Sequence, residues 1–215
     1  MDSSKKLVII GAGSVGGHLA MNLDDYYPGG ELIGFLDDDT SKIGNVFCGF
    51  KVLGPVSEIG SFGSIEVVIG IAFPKIKKQI LDEIAHLGHY EFPKMISKHA
   101  WVSKGVSVGD GAIIYPGCCI NYGSSIDRHV VMNLNCSIGH HSTVGGLSSL
   151  APGVNLAGHT TIEEGGDIGI GVSTRQSVVI GKYSVIGGNS MVTSDIPSFS
   201  LAYGVPAKLK RRRVS

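Results

Sequence analysis

No apolar run in this 215-residue chain approaches the ~18 residues that a membrane-spanning helix needs, and neither sign of charge is in excess, with 18 basic and 18 acidic side chains. The first absence excludes a transmembrane helix. The second removes the global field that would draw the chain to nucleic acid or to an anionic lipid surface. Cysteine is sparse: Cys48, Cys118, Cys119 and Cys136 form no CxxC pair and none of the spacings of a metal knuckle or a secreted disulfide framework. They read as reduced thiols packed as small apolar side chains, in keeping with a reducing compartment. Met1-Asp2-Ser3-Ser4-Lys5-Lys6 leads into a strand pattern rather than a signal-peptide core, so a cytoplasmic chain is expected. Charge is low as well, at 17% against a usual ~25%. Glycine is the opposite case, with 32 residues, about twice the usual share, which implies repeated tight turns.

The scarce charges are unevenly spread: 21 fall in residues 1–101, nine in 102–192 and six in 193–215. Two architectures are joined near residue 100, with expected domains of 1–97 and 98–194 and a basic tail over 195–215. In the first, short apolar runs alternate with helical stretches, the pattern of βα units on a parallel sheet. Leu7 to Ile10 reads as a buried strand, Val15 to Leu23 as a helix, Leu32 to Leu36 and Val67 to Ile69 as further strands. Lys75 to Leu87 reads as an amphipathic helix with Ile76, Ile80, Ile84 and Leu87 on one face. This predicts a small α/β, Rossmann-like domain.

From 102 to 192 the period changes. Every sixth residue is Leu, Ile or Val except Met132 and Thr174, and from Val106 to Ser190 the residue two places earlier is always Val, Ala, Cys, Ser, Thr or Gly. A six-residue repeat is the signature of a parallel β-helix, in which each repeat gives one strand and one turn and buries its apolar side only by stacking. Three repeats make a triangular coil of 18 residues, so residues 102–192 wind about five coils, each aliphatic residue pointing inward above its equivalent about 4.8 Å away. Cys118 and Cys136, 18 apart, fall on the small inward position and need no disulfide.

Gly11-Ala12-Gly13-Ser14-Val15-Gly16 fits GxGxxG between a strand and a helix, with Asp37 and Asp38 ending the next strand. Such a turn lets backbone approach a phosphate at a helix N-terminus, and an acidic residue there accepts from a ribose or base. NAD is the usual guess from this motif, but a first domain this short holds half a dinucleotide fold and suits a single nucleotide.

The repeats, with Ile9-Ile10-Gly11-Ala12-Gly13, Phe35-Leu36-Asp37-Asp38 and Gly204-Val205-Pro206-Ala207-Lys208, resemble the left-handed β-helix bacterial sugar acyltransferases. Within them the likeness is to the group with an N-terminal nucleotide-sugar domain, which holds sialic acid O-acetyltransferase and the N-acetyltransferases of nucleotide-linked amino sugars. The resemblance implies a homotrimer with acetyl-CoA clefts between neighbouring β-helices. The implied activity is N-acetylation of a nucleotide-linked amino sugar for bacterial surface glycans, with sugar O-acetylation or a catalytically silent nucleotide-sugar-binding trimer as alternatives. The family's nucleotide-sugar contacts carry over to Gly13, Ser14, Val15, Asp37, Asp38 and Ala72, and its acetyl-CoA positions to Ser149, Ile170 and Gly188. Gly158 N–H is the expected oxyanion donor.

His140, two places after inward Ile138, is expected at a turn with its ring outside the coil. Acetyl transfer requires the nucleophile to lose a proton as it attacks, and imidazole suits this near neutral pH; the resemblance places the family's base at His140. Relatives carry Asp or Glu next, where this chain has His141, which supplies no fixed negative charge. His141 and His159 lie 18 apart and His129 twelve before His141. A shared-zinc hydratase is a competing reading, but the His-x4-His pair of that family is absent, and no metal is expected. Lys208, Lys210, Arg211, Arg212 and Arg213 either pair with CoA phosphates or form a solvated tail.

Overall fold

The computed structural model describes residues 5–212; Met1 to Ser4 of the leading segment and Arg213 of the basic tail lie outside the described residues. The chain divides into two compact units at Met95/Ile96. Among the described residues, no helix is long and apolar enough to cross a membrane.

The first unit contains β1 (Lys5–Ile10), α1 (Ser14–Met21), α2 (Leu23–Tyr26), β2 (Gly30–Leu36), β3 (Val46–Phe47), β4 (Phe50–Gly54), a 3-10 helix (Val56–Phe62), β5 (Glu66–Ile69) and α3 (Pro74–Ile84). Its sheet has the order β3-β4-β2-β1-β5, parallel except for β3 against β4. Leu7 to Ile10 are fully buried, as an unbroken aliphatic run on a central parallel strand should be. Val8 and Ile10 join Val67, Ile69, Ile80 and Ile84 in the core. At Gly16 a side chain would collide with the Gly11 carbonyl oxygen, and at Gly70 a Cβ would stand 2.8 Å from Gly16 Cα. The two glycines thus let α1 press against the sheet where the phosphate-type turn ends.

Two helices differ from their sequence reading. Val15 to Leu23 is split after Met21, because Asn22 leaves the helical region (φ −129°) and its Nδ2 donates to the His18 carbonyl, the local competition that asparagine offers a helix backbone. On α3 the buried set is Pro74, Lys77, Ile80 and Ile84, while Ile76 and Leu87 are exposed; Ile76 instead lines a cavity with Ile80, Asp37 and Asp38.

The second unit is a parallel β-helix. After β6 (Met95–Ile96), two-residue strands recur every six residues from β7 (Trp101–Val102) to β22 (Met191–Val192). Every third strand pairs in parallel, so that Cys119 lies beside Ser137 and Ile120 beside Ile138, and three sheets form the faces. The inward aliphatic residues from Ile114 to Val192 are buried, each worth about 1.5–3 kcal/mol relative to exposure. Every sixth residue from Gly105 to Asn189 has a positive φ. Glycine supplies that left-handed corner in many turns, which accounts for its abundance; His129, Asn135, His141 and His159 supply it elsewhere. Cys118 and Cys136 are buried free thiols, and the Cys118 thiol, hydrogen-bonded to Cys136 and desolvated, is pushed well above the ordinary thiol range.

Residues 195–212 do not form a free tail. β23 (Ser200–Gly204) continues one face in parallel with the strand Val185–Ile186, and β24 (Ala207–Arg212) folds back antiparallel on it. Ala202, fully buried, takes up the inward ladder, and Lys210 Nζ sits 4.6 Å from the centre of the Tyr203 ring.

Candidate active site

Equivalent turns of successive coils stack into corners. One corner carries Tyr122-Gly123, His140-His141, Gly158-His159 and Gln176-Ser177, tied by N–H to O bonds of 3.1 Å (His141 to Tyr122), 2.9 Å (His159 to His140) and 3.0 Å (Ser177 to Gly158). His140 follows strand Ser137–Ile138, whose Ile138 is locked inward, so its ring projects outward and is half-buried. Below it lies Tyr122, nearly parallel with centroids 5.9 Å apart. Above it is Gly158, where an added Cβ would stand 2.7 Å from His140 Nε2. Any other residue at 158 would displace the ring. The Gly158 N–H has no acceptor among the described residues.

His140 Nδ1 lies 3.1 Å from His141 Nδ1. With His140 protonated at Nδ1, His141 accepts that hydrogen and the free lone pair rests on Nε2, beside Gly158. Sequence reasoning missed Tyr122, although the 18-residue register points to it. It also missed the reason for Thr174, which interrupts the aliphatic ladder. Its buried Oγ1 accepts from the Ala157 N–H at 3.0 Å and lies 3.0 Å from Thr160 Oγ1, fixing the peptide that leads into Gly158.

The residues matched to acetyl-CoA positions sit elsewhere. Ile170 is 56% exposed and stacks on Gly188, whose added Cβ would meet Ile170 Cγ2 at 3.0 Å. These two form a different corner of the coil, and Ser149, buried at 7% exposure, lies on the face between Val131 and Asp167. Within one chain this set and the His140 corner are therefore apart.

In the first unit, Gly13 begins α1 and a Cβ there would meet nothing within 4 Å. Ser14 is exposed, Val15 is buried and Ala72 half-buried. No acidic residue occupies the first turn of α1. Asp37 is taken up by the turn itself: Oδ2 accepts from Ala12 N–H at 2.8 Å and Lys42 Nζ at 2.9 Å, and Oδ1 from Asp39 N–H at 2.9 Å. Partial burial raises its pKa, but the Asp39 amide, the Lys42 ammonium and the Ala12 amide outweigh that and hold it below the usual carboxylate range. Asp38 is exposed, with Oδ1 accepting from Val56 N–H. Both line a cavity of about 300 Å³ with Gly11, Ile71 and Gln79.

No family model matches the chain. Galactoside O-acetyltransferase of Escherichia coli (strain K12) is 33% identical over 150 residues, 57% of this chain and 74% of that protein. Other curated relatives, serine acetyltransferases among them, are spanned over only 28% to 54% of their length. Among solved structures, the acetyltransferase domain of PglB from Neisseria gonorrhoeae FA1090 in complex with acetyl coenzyme A superposes with a TM-score of 0.87 at 28% identity, covering 97% of this chain and 100% of that one. PerB from Caulobacter crescentus, in complex with CoA and GDP-perosamine, gives a TM-score of 0.87 at 25% identity, covering 96% of this chain and 97% of that one.

Proposed function

The chain belongs to the hexapeptide-repeat acetyltransferases, and from that premise we propose that it transfers the acetyl group of acetyl-CoA to the amino group of a nucleotide-linked sugar. The observation that carries the reading is the His140 corner, an outward imidazole with Nδ1 against His141 and Nε2 beside Gly158, whose N–H has no acceptor among the described residues. Nε2 takes a proton from the sugar amine as the nitrogen bonds to the thioester carbon. The carbonyl oxygen becomes an oxyanion that accepts from Gly158 N–H; collapse then releases CoA thiolate, which takes up a proton. The nearly full-length likeness to proteins solved with acetyl-CoA and with GDP-perosamine supports both co-substrates.

The first unit then serves as a Rossmann-like holder of one nucleotide. Its phosphates meet the N-terminus of α1 past Gly13, Ser14 and the Val15 amide, with Ala72 nearby, and Asp38 accepts from ribose or base while Asp37 keeps the turn in shape. The second unit is read as left-handed and the assembly as a homotrimer. Since His140 and the Ile170–Gly188–Ser149 set lie on different sides of one β-helix, a cleft between two copies is what would unite base and CoA. Identity to a galactoside O-acetyltransferase favours O-acetylation as the second reading.

The test is thiol release from acetyl-CoA with a panel of GDP-, UDP- and dTDP-linked amino sugars, beside their hydroxyl counterparts. Turnover is expected only with the amines, and His140→Ala should lower it by about 10²–10⁴. Full turnover by His140→Ala removes the base assignment; release with hydroxyl acceptors alone selects the second reading.

A further inference from the structure

Imidazoles eighteen residues apart on this fold must stack, because equivalent positions on consecutive coils are one inter-strand spacing apart. His141 and His159 do so, with ring centroids 5.1 Å apart and planes 5° from parallel. Both occupy the left-handed turn position, φ 54° and 58°, and their backbones are pinned by the amide bonds of the corner. His140 stands edge-on to both, its centroid 5.4 Å from that of His141 and 5.0 Å from that of His159. As a result, one ring nitrogen from each of the three lies within 4.8 Å of the other two. The Nδ1 atoms of His140 and His141 are only 3.1 Å apart. Two nitrogens bound to a tetrahedral zinc at about 2.0–2.1 Å are about 3.3 Å from each other, so this pair already has the separation of adjacent ligands. His159, exposed, needs only a side-chain rotation to complete the set.

We propose that His140, His141 and His159 of a single chain bind a zinc-class divalent cation, Zn²⁺, Ni²⁺ or Cu²⁺, and that its binding silences acetyl transfer. Three imidazole nitrogens select these ions over Mg²⁺ and Ca²⁺, which prefer oxygen. The silencing follows from the ring's electron count. Neutral imidazole has one lone-pair nitrogen, and its other nitrogen carries hydrogen. Coordination through either nitrogen consumes that lone pair, and His140 then has nothing with which to accept a proton. This second half rests on the reading of His140 as the base; the binding does not.

The full chain, stripped with a chelator, is titrated with Zn²⁺ against a chromophoric indicator, with Co²⁺ as a reporter of tetrahedral nitrogen ligation by its visible absorption. One ion per chain is expected. Binding should weaken by more than about tenfold in H141N and in H159N, since losing a ligand costs at least what losing its supporting partner does. Asparagine accepts the left-handed backbone, and unchanged thermal melts confirm that the variants fold. Wild-type affinity equal to that of the H141N/H159N double variant overturns the site. Thiol release that persists at saturating zinc overturns the silencing. Absence of thiol release from metal-free protein with every amino-sugar nucleotide overturns the acetyltransferase reading, and the silencing with it, while the indicator titration still decides the site.

Discussion

His141 stands beside the proposed base, His140, without the negative charge that a carboxylate would bring, and its backbone, at φ 54°, is one that aspartate adopts more readily than most residues. His141→Asp therefore restores a carboxylate without straining the turn. An anion within hydrogen-bond reach stabilises the imidazolium that forms as a proton is taken up, so His141→Asp should raise kcat for thiol release with an amino-sugar acceptor. An unchanged kcat would mean that His140 takes up no proton in the slow step. The histidine itself was legible from its spacing after an inward isoleucine. Its contact with His141 was legible only as adjacency, because whether neighbouring rings face each other depends on side-chain torsions that spacing does not encode.

At the level of strands and turns, the six-residue period was readable because burial of one aliphatic residue per strand is a local, repeating requirement. The exceptions carry the information that periodicity lacks. Thr174 looked like a lapse in the ladder, yet its hydroxyl accepts from Ala157 N–H. Thr174→Val keeps the shape and removes the acceptor, leaving a part-buried amide without its partner, which costs about 1 kcal/mol. Urea unfolding should show that loss, together with reduced thiol release because the Gly158 turn is freed; undiminished stability would mean that the Ala157 amide finds another acceptor. In the first unit the helical pattern over Val15 to Leu23 concealed the Asn22 break, since periodicity reports which side is apolar and not whether a side chain competes for the backbone. The basic composition after residue 207 likewise hid a strand, because Ala202 and Ala207, both buried, commit the hairpin to the sheet while the lysines point outward.

For the molecule as a whole, the change of period near residue 100 was readable in the sequence, but not which parts of the site share a corner, a property of residue number modulo eighteen. The proposed homotrimer has a direct check: light scattering at assay concentrations should return three times the mass of the 215-residue chain, and a monomer that still turns over would show that one coil suffices. The parallel pairing of each strand with the one eighteen places on has a further consequence for how such a chain can change. Removing a whole revolution shortens the column and leaves the remaining side chains aimed as before. Losing a single residue re-aims everything downstream by one place, sending aliphatic groups into solvent and polar ones into the shaft. Viable length variants of this chain should therefore come in steps of one turn of the screw.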